Sequence, residues 1–345
     1  MYIRAIFVIT ALFCGSFGIF SFAVANEELC NSVCKKMQEI KERSNNVVLI
    51  YAFGSKGASS GTGTVISTAE GNTYILTNNH VVEGASSGRV WVVFESGKKE
   101  EVAVIGRDPA ADLALLQSPE LPPGATPVIF GRELKIGQQV YALGYPFGMR
   151  SVTFGYINAL EPTLTWPFIW TQTPINPGNS GGPLFNEKRE MVGVNTAVVP
   201  VNIAVGGGIS LVIPIDHVKR LLPRLTLERV VRHGVVGFEL DDSARILPVF
   251  FDKYGLRYPP EREGIMVTVV VPGLPAAQAN IKVGDIVLKW KGVSFRKALD
   301  LKAKIFFDHR PGEEVTITLQ RDGQIFERRV LLSEHTRPKA EEGTQ

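Results

Sequence analysis

The chain has 345 residues, 45% hydrophobic and 21% charged. That composition excludes an intrinsically disordered protein, and the length exceeds what one hydrophobic core serves, so at least two folded units are expected. A formal net charge of +3, evenly spread, argues against nucleic acid as the main partner.

At the N-terminus, Arg4 precedes an apolar stretch, 5–25, which ends in Ala23-Val24-Ala25 and is followed by polar Asn26-Glu27-Glu28. The pattern is an export signal with a small-residue cleavage site, so residues 1–25 read as a signal peptide. The stretch is also long enough to span a bilayer, which keeps an uncleaved membrane anchor as the alternative. Residues 26–45 form an expected helical segment in which Cys30 and Cys34 share one face. In an oxidising compartment these two can pair locally or between subunits, or remain thiols. Nothing nearby supplies the other two ligands of a zinc site, and no motif calls for a metal or a cofactor.

From residue 46 to about 225, short β-rich runs follow one another: VVLIYAF, GTVIST, TYILTN, VWVVF, EVAVIG, LALLQ, QVYALG, SVTFGYINAL, MVGVNTAVV and ISLVIP. Their spacing predicts an antiparallel barrel or sandwich, and a short helix in PIDHVKRLLPRL closes the unit. A second unit is expected over 230–335, with strands near VVGFEL, GIMVTVVV, DIVLKW and EVTITLQRDG and helices near PAAQANI and ALDLKAKIFF. The polar tail 336–345 is expected to be disordered. The basic run Glu327-Arg328-Arg329 reads as solvated surface.

Ser180 lies in Gly178-Asn179-Ser180-Gly181-Gly182, a formal match to the nucleophile elbow of α/β-hydrolases. Two tests oppose that reading: Pro183 and a further β-rich run stand where the elbow needs a helix, and the best-placed histidine and aspartate precede the serine. His80 lies just beyond an apolar strand, and Asp112 lies immediately before another. The order His80, Asp112, Ser180 is that of the chymotrypsin-type triad on a chain already read as all-β. The chemistry needs these residue types. A serine hydroxyl requires an imidazole to take its proton, the imidazole requires a carboxylate to fix its tautomer, and backbone N–H groups near Gly178, Asn179 and Ser180 would hold the oxyanion.

The successive motifs TNNHVV, RDPAADLALL, GYPFG, INPGNSGGPLFN and VGVNTA resemble those of the HtrA/Deg serine protease family. HGVVGFEL, VVVPGLPAAQANIKVGDIVLKWKGV and RPGEEVTITLQRDG are similar to that family's PDZ domain. The resemblance implies a mainly β protein, with a chymotrypsin-like double β-barrel at 46–225 followed by an α+β PDZ domain at 230–335. It further implies a periplasmic or envelope location, ATP-independent proteolysis of misfolded proteins, and a homotrimer. C-terminal peptides would bind a PDZ loop at Val235, Val236, Gly237 and Phe238. Two departures stand out. Trp170-Thr171-Gln172-Thr173-Pro174 replaces the usual segment before the serine loop, and His233 replaces the usual arginine before the PDZ loop, which points to a weaker or pH-dependent hold on the ligand carboxylate. Two other functions fit the same chain: a membrane-anchored stress sensor that cuts one regulatory partner, and a chaperone or scaffold that holds unfolded proteins.

Overall fold

The computed structural model describes residues 44–334 apart from 56, 70–71, 86–88, 120–124, 133, 161–167, 200–208 and 257–263. The chain divides into two units, Met1–Asn45 and Asn46–Gln345, and the architecture that follows belongs to the second. The expected signal or anchor, the 26–45 helix, Cys30, Cys34 and the 336–345 tail lie outside the described residues. Among the described residues, no helix is long and apolar enough to cross a membrane.

The first six strands are β1 (Val47–Gly54), β2 (Gly57–Ala69), β3 (Asn72–Thr77), β4 (Arg89–Val93), β5 (Lys99–Asp108) and β6 (Leu113–Ser118). They close into an antiparallel barrel in the order β1-β2-β3-β6-β5-β4. Alternation along each strand sends Val48, Ile50, Val65, Ile75, Val90, Val92, Val102 and Leu116 inward, and their burial stabilises the barrel by roughly 1.5–3 kcal/mol per large side chain. A second barrel of β7 (Gln139–Gly144), β8 (Ser151–Ala159), β9 (Ile169–Thr171), β10 (Pro183–Asn186), β11 (Met191–Val199) and β12 (Ile209–Pro214) closes in the order β10-β11-β12-β9-β8-β7. Val140, Ala142, Ile157, Ile169, Leu184, Val192 and Val212 fill it. A turn of helix, α1 (Asn79–Val82), leaves the first barrel after β3.

Helix α2 (Ile215–Leu227) follows β12, with Pro214 as its extended N-cap residue and Ile215, Val218, Leu221 and Leu225 buried on one face. It lies so close to β5 that a Cβ on Gly106 would stand 1.8 Å from the Leu225 carbonyl oxygen. The chain then runs beside β5. Arg107 N–H donates to the Arg229 carbonyl at 3.2 Å, and Val231 N–H donates to the Arg107 carbonyl at 2.8 Å, a parallel pairing. The partner strand β4 has already parted from β5 at Val102.

Beyond this junction lie β13 (Gly234–Val235), β14 (Phe238–Asp242), α3 (Pro248–Tyr254), β15 (Ile265–Val270), α4 (Pro275–Gln278), β16 (Ile286–Trp290), α5 (Ala298–Asp308), β17 (Glu314–Arg321), β18 (Gln324–Leu331) and β19 (Ser333–Glu334). Five strands form an antiparallel sheet, β14-β15-β16-β17-β18, and β13 pairs with β19. Leu240, Val267, Trp290, Leu301, Ile317 and Leu319 form its core with Val236. Strand β14 stands at the sheet edge, and α5 packs beside it, with the Ala298 N–H bonded to Asp242 Oδ1 at 2.6 Å.

Candidate active site

The His80 side chain is set by α1, which buries Val81 and Val82 in the first barrel and leaves His80 on the outer side, 42% exposed. Asp112 follows a turn at the end of β5, where Asp108 Oδ1 accepts the N–H groups of Ala110 at 3.1 Å and Ala111 at 2.9 Å. Asp112 itself has φ 55°, in the left-handed region, an uncommon setting for a residue with a Cβ. Its backbone carbonyl accepts from Asn78 Nδ2 at 2.8 Å, which ties the two turns together.

These turns bring the imidazole and the carboxylate into contact. His80 Nδ1 lies 2.8 Å from Asp112 Oδ2, and the His80 backbone N–H donates to Oδ1 at 2.9 Å. Thr196, from β11, donates its hydroxyl to Oδ2 at 2.6 Å. With Nδ1 donating to the carboxylate, Nε2 is left as the acceptor of the neutral ring.

Ser180 comes from the second barrel, on the loop before β10. The Asn179 N–H turns back to the Asn176 carbonyl at 2.9 Å, Gly181 N–H donates to the Asn195 carbonyl at 2.8 Å, and Thr62 N–H donates to the Ser180 carbonyl at 2.8 Å. The serine is therefore clamped between β2 of one barrel and β11 of the other. Its hydroxyl donates to the Thr196 carbonyl at 3.1 Å.

Gly178 has φ 102°, and a Cβ there would lie 2.4 Å from the Tyr145 carbonyl oxygen. Only glycine allows that approach. The Thr62 hydroxyl donates to the Gly178 carbonyl at 2.6 Å and accepts the Tyr145 N–H at 3.0 Å, while Phe147 N–H donates to the Pro177 carbonyl at 3.3 Å. These bonds give the Pro177 and Gly178 carbonyls partners outside the serine loop. Among the described residues, the N–H groups of Gly178 and Ser180 have no protein acceptor, whereas that of Asn179 is engaged. The expected anion site at 178–180 thus narrows to two donors, because Asn179 closes the local turn instead.

Of the segment that departs from the family pattern, Thr171 and Thr173 share a hydroxyl contact of 2.7 Å, and the Ser210 hydroxyl donates to the Thr173 carbonyl at 2.7 Å. These bonds fix the base of β9 against β12. Thr196 and Thr62 were not singled out by sequence. The only signal for Thr196 is its place in VGVNTA, since its partner Asp112, 2.6 Å away in space, is 84 residues away in the chain.

In the second unit of the expected function, Gly237 has φ 86°, and the carbonyls of Val236 and Gly237 accept from Ala276 at 2.7 Å and Val271 at 2.9 Å. The 235–238 turn is thereby fixed between β13 and the edge strand β14. Across the groove between β14 and α5, Lys302 Nζ lies 3.6 Å from Glu239. Burial pushes the Glu239 carboxyl up from its ordinary range, and the lysine opposes that shift. His233, expected to shape the hold on a ligand carboxylate, does not face this loop. It is buried against Asp108 and Phe306, because the pairing of 229–231 with β5 carries it into the junction. Among the described residues no cluster of three metal-ligating side chains occurs.

Two closed barrels presenting a histidine, an aspartate and a serine at their seam, followed by a small sheet with an open edge strand, define a trypsin-like peptidase fold joined to a PDZ fold. Residues 61–194 match the trypsin-like peptidase domain, and residues 236–332 match the PDZ domain. The chain belongs to the HtrA/Deg family of serine proteases. It is 31% identical over 297 residues to a Haemophilus influenzae protein named as a probable periplasmic serine protease do/HhoA-like, covering 81% of this chain and 60% of that one. It is 30% identical over 291 residues to the serine protease Do-like HtrA of Bacillus subtilis, covering 80% and 64%. The chain therefore spans less than two thirds of the length of these relatives. Among solved structures, it is similar to the HtrA-type protease AlgW with tripeptide, with TM-score 0.68 and 28% identity over 87% of this chain and 97% of that one. A serine endoprotease from Yersinia pestis gives TM-score 0.62 and 29% identity over the same shares.

Proposed function

We propose that this chain is an exported serine endopeptidase in which Ser180 attacks the scissile carbonyl, His80 takes its proton and Asp112 orients the imidazole. The observation that carries the reading is the Asp112 carboxylate, which meets both His80 Nδ1 and the Thr196 hydroxyl while Ser180 sits beside the Thr196 carbonyl. A carboxylate so held fixes Nε2 as the base and stabilises the imidazolium once it forms. The Ser180 hydroxyl rests on the Thr196 carbonyl, and the proposed mechanism has it turn to Nε2 by rotation about χ1, a change between staggered rotamers. Attack on the carbonyl carbon moves the electron pair onto the carbonyl oxygen, which the Gly178 and Ser180 N–H groups receive. The imidazolium then gives its proton to the leaving amine, and water repeats the sequence on the acyl-enzyme.

The peptidase unit is taken as 46–225 and the PDZ unit as 230–335, with Val235–Phe238 as the loop that receives a C-terminal carboxylate while the peptide adds to the edge of β14. Misfolded proteins of the cell envelope are the proposed substrates, C-terminal peptides the proposed PDZ ligands, and a homotrimer the proposed assembly. The names of the relatives support the periplasm as its location. Purified protein should degrade unfolded casein without ATP and become labelled at Ser180 by a fluorophosphonate. A correctly folded protein that does neither overturns the reading.

A further inference from the structure

One buried histidine outside the triad is held at both ring nitrogens. His233 is 1% exposed, its Nε2 lies 2.7 Å from Asp108 Oδ2, and its Nδ1 lies 2.7 Å from the Phe306 carbonyl oxygen. The ring stacks on Phe306, with centroids 3.8 Å apart and planes inclined by 20°. A carbonyl oxygen only accepts, so Nδ1 carries a proton. Asp108, fully buried, accepts two backbone N–H groups on its other oxygen. One proton joins Nε2 to Oδ2.

We propose that His233, through Asp108, is a positioning residue for Asp112. The proposal rests on the peptidase reading given above. One oxygen of Asp108 holds His233, and the other holds Ala110 and Ala111, the two residues that lead directly into the left-handed Asp112. His233 in turn is fixed by α5 through Phe306. The carboxylate that orients His80 is thus referenced to a helix of the PDZ unit as well as to its own barrel. Asp108 is the charged group that faces the ring from β5, and α5 presents the Phe306 carbonyl and ring. The neighbouring Arg232 turns away, to Glu334. Removing the imidazole leaves the buried Asp108 with two of its three partners, and the Ala110–Asp112 turn relaxes with it.

The test uses the full chain with a fluorogenic peptide, a fluorophosphonate, and the variants His233→Gln and Asp108→Asn. Each variant is expected to lower kcat and the rate of Ser180 labelling by about tenfold or more while KM stays within about twofold, since small displacements of a catalytic group act on the chemical step. The double variant is expected to be no slower than the slower single, as for two parts of one device. Folded variants that label at the wild-type rate, or that lose rate only through KM, overturn the proposal. A buried substitution can prevent folding, so the wild type carries a second readout: NMR of histidine labelled with nitrogen-15 is expected to show a proton on His233 Nδ1 that is protected from exchange with solvent, as its bond to the Phe306 carbonyl requires. A ring with a bare Nδ1 overturns it. A wild type that never labels overturns the peptidase reading itself, whatever the state of the ring, so the two failures are distinguishable.

Discussion

Thr196 donates its hydroxyl to Asp112 Oδ2 at 2.6 Å, on the oxygen that also faces His80 Nδ1 at 2.8 Å. The same residue's carbonyl holds the Ser180 hydroxyl. One residue of β11 therefore touches both ends of the triad. Replacing Thr196 with Val keeps the shape and removes the hydroxyl. The loss of a hydrogen bond to a charged group, about 1.5–3 kcal/mol, should appear as a fall in kcat of about ten- to a hundredfold with KM little changed, measured on a fluorogenic peptide.

Gly178→Ala places a Cβ where the Tyr145 carbonyl already stands, at a φ that L side chains rarely adopt. The Pro177–Gly178 peptide must rotate, and its N–H leaves the anion site. Loss of one such donor costs about 3–4 kcal/mol of transition-state stabilisation, so kcat should fall about 10²–10³-fold. Fluorophosphonate labelling should slow in parallel. Unchanged labelling in a folded variant would remove Gly178 from the site.

Thr62→Val strips the bond that holds the Gly178 carbonyl and leaves the buried Tyr145 N–H without its acceptor. Burying unsatisfied groups costs about 1–3 kcal/mol each. The variant should therefore lose stability in urea unfolding as well as activity, whereas Thr196→Val should lose mainly activity. Equal stability in the two would show that Thr62 does not join the barrels energetically.

Burial lowers the pKa of His217, on α2 against Phe307, to about 4, and the nearby Arg220 acts in the same direction. The folded value lies below the ordinary 6.5, so the unfolded chain binds the extra proton first. The stability this ring contributes is fully present above about pH 6.5 and is lost as pH falls toward about 4, on the order of 3 kcal/mol. Urea midpoints measured between pH 7.5 and 4.5 should fall more steeply for the wild type than for His217→Leu. Parallel slopes would contradict the assignment.

Most of the barrel strands were legible because half-buried strands alternate, and β1, β6 and β7 also carry near-continuous apolar runs. Strand β9 has three residues, too few for a period, and β18 exposes most of its residues, Glu327 and Arg329 among them, so it reads as surface. Nothing in Pro248–Tyr254 separates the short helix α3 from a loop. His80, Asp112 and Ser180 could be singled out because each sits in a marked local setting: a strand end, a turn or a glycine run. Thr62 and Thr196 could not, because a threonine hydroxyl has no local signature and their partners lie 116 and 84 residues away. The expected role of His233 followed its neighbours in sequence, whereas its position follows Asp108, 125 residues upstream.

The run of Arg229–Val231 beside β5 gives the peptidase unit a property that its two closed barrels hide. Once β4 has parted from β5 at Val102, the outer side of Arg107 is an open strand edge, and the connecting chain covers it by pairing in parallel. Exposed edges of this kind template the addition of foreign strands. A proteolytic nick after Leu227 would therefore do more than release the PDZ unit: it would uncover a sticky edge five residues from Asp112, where a strand from another molecule could lodge.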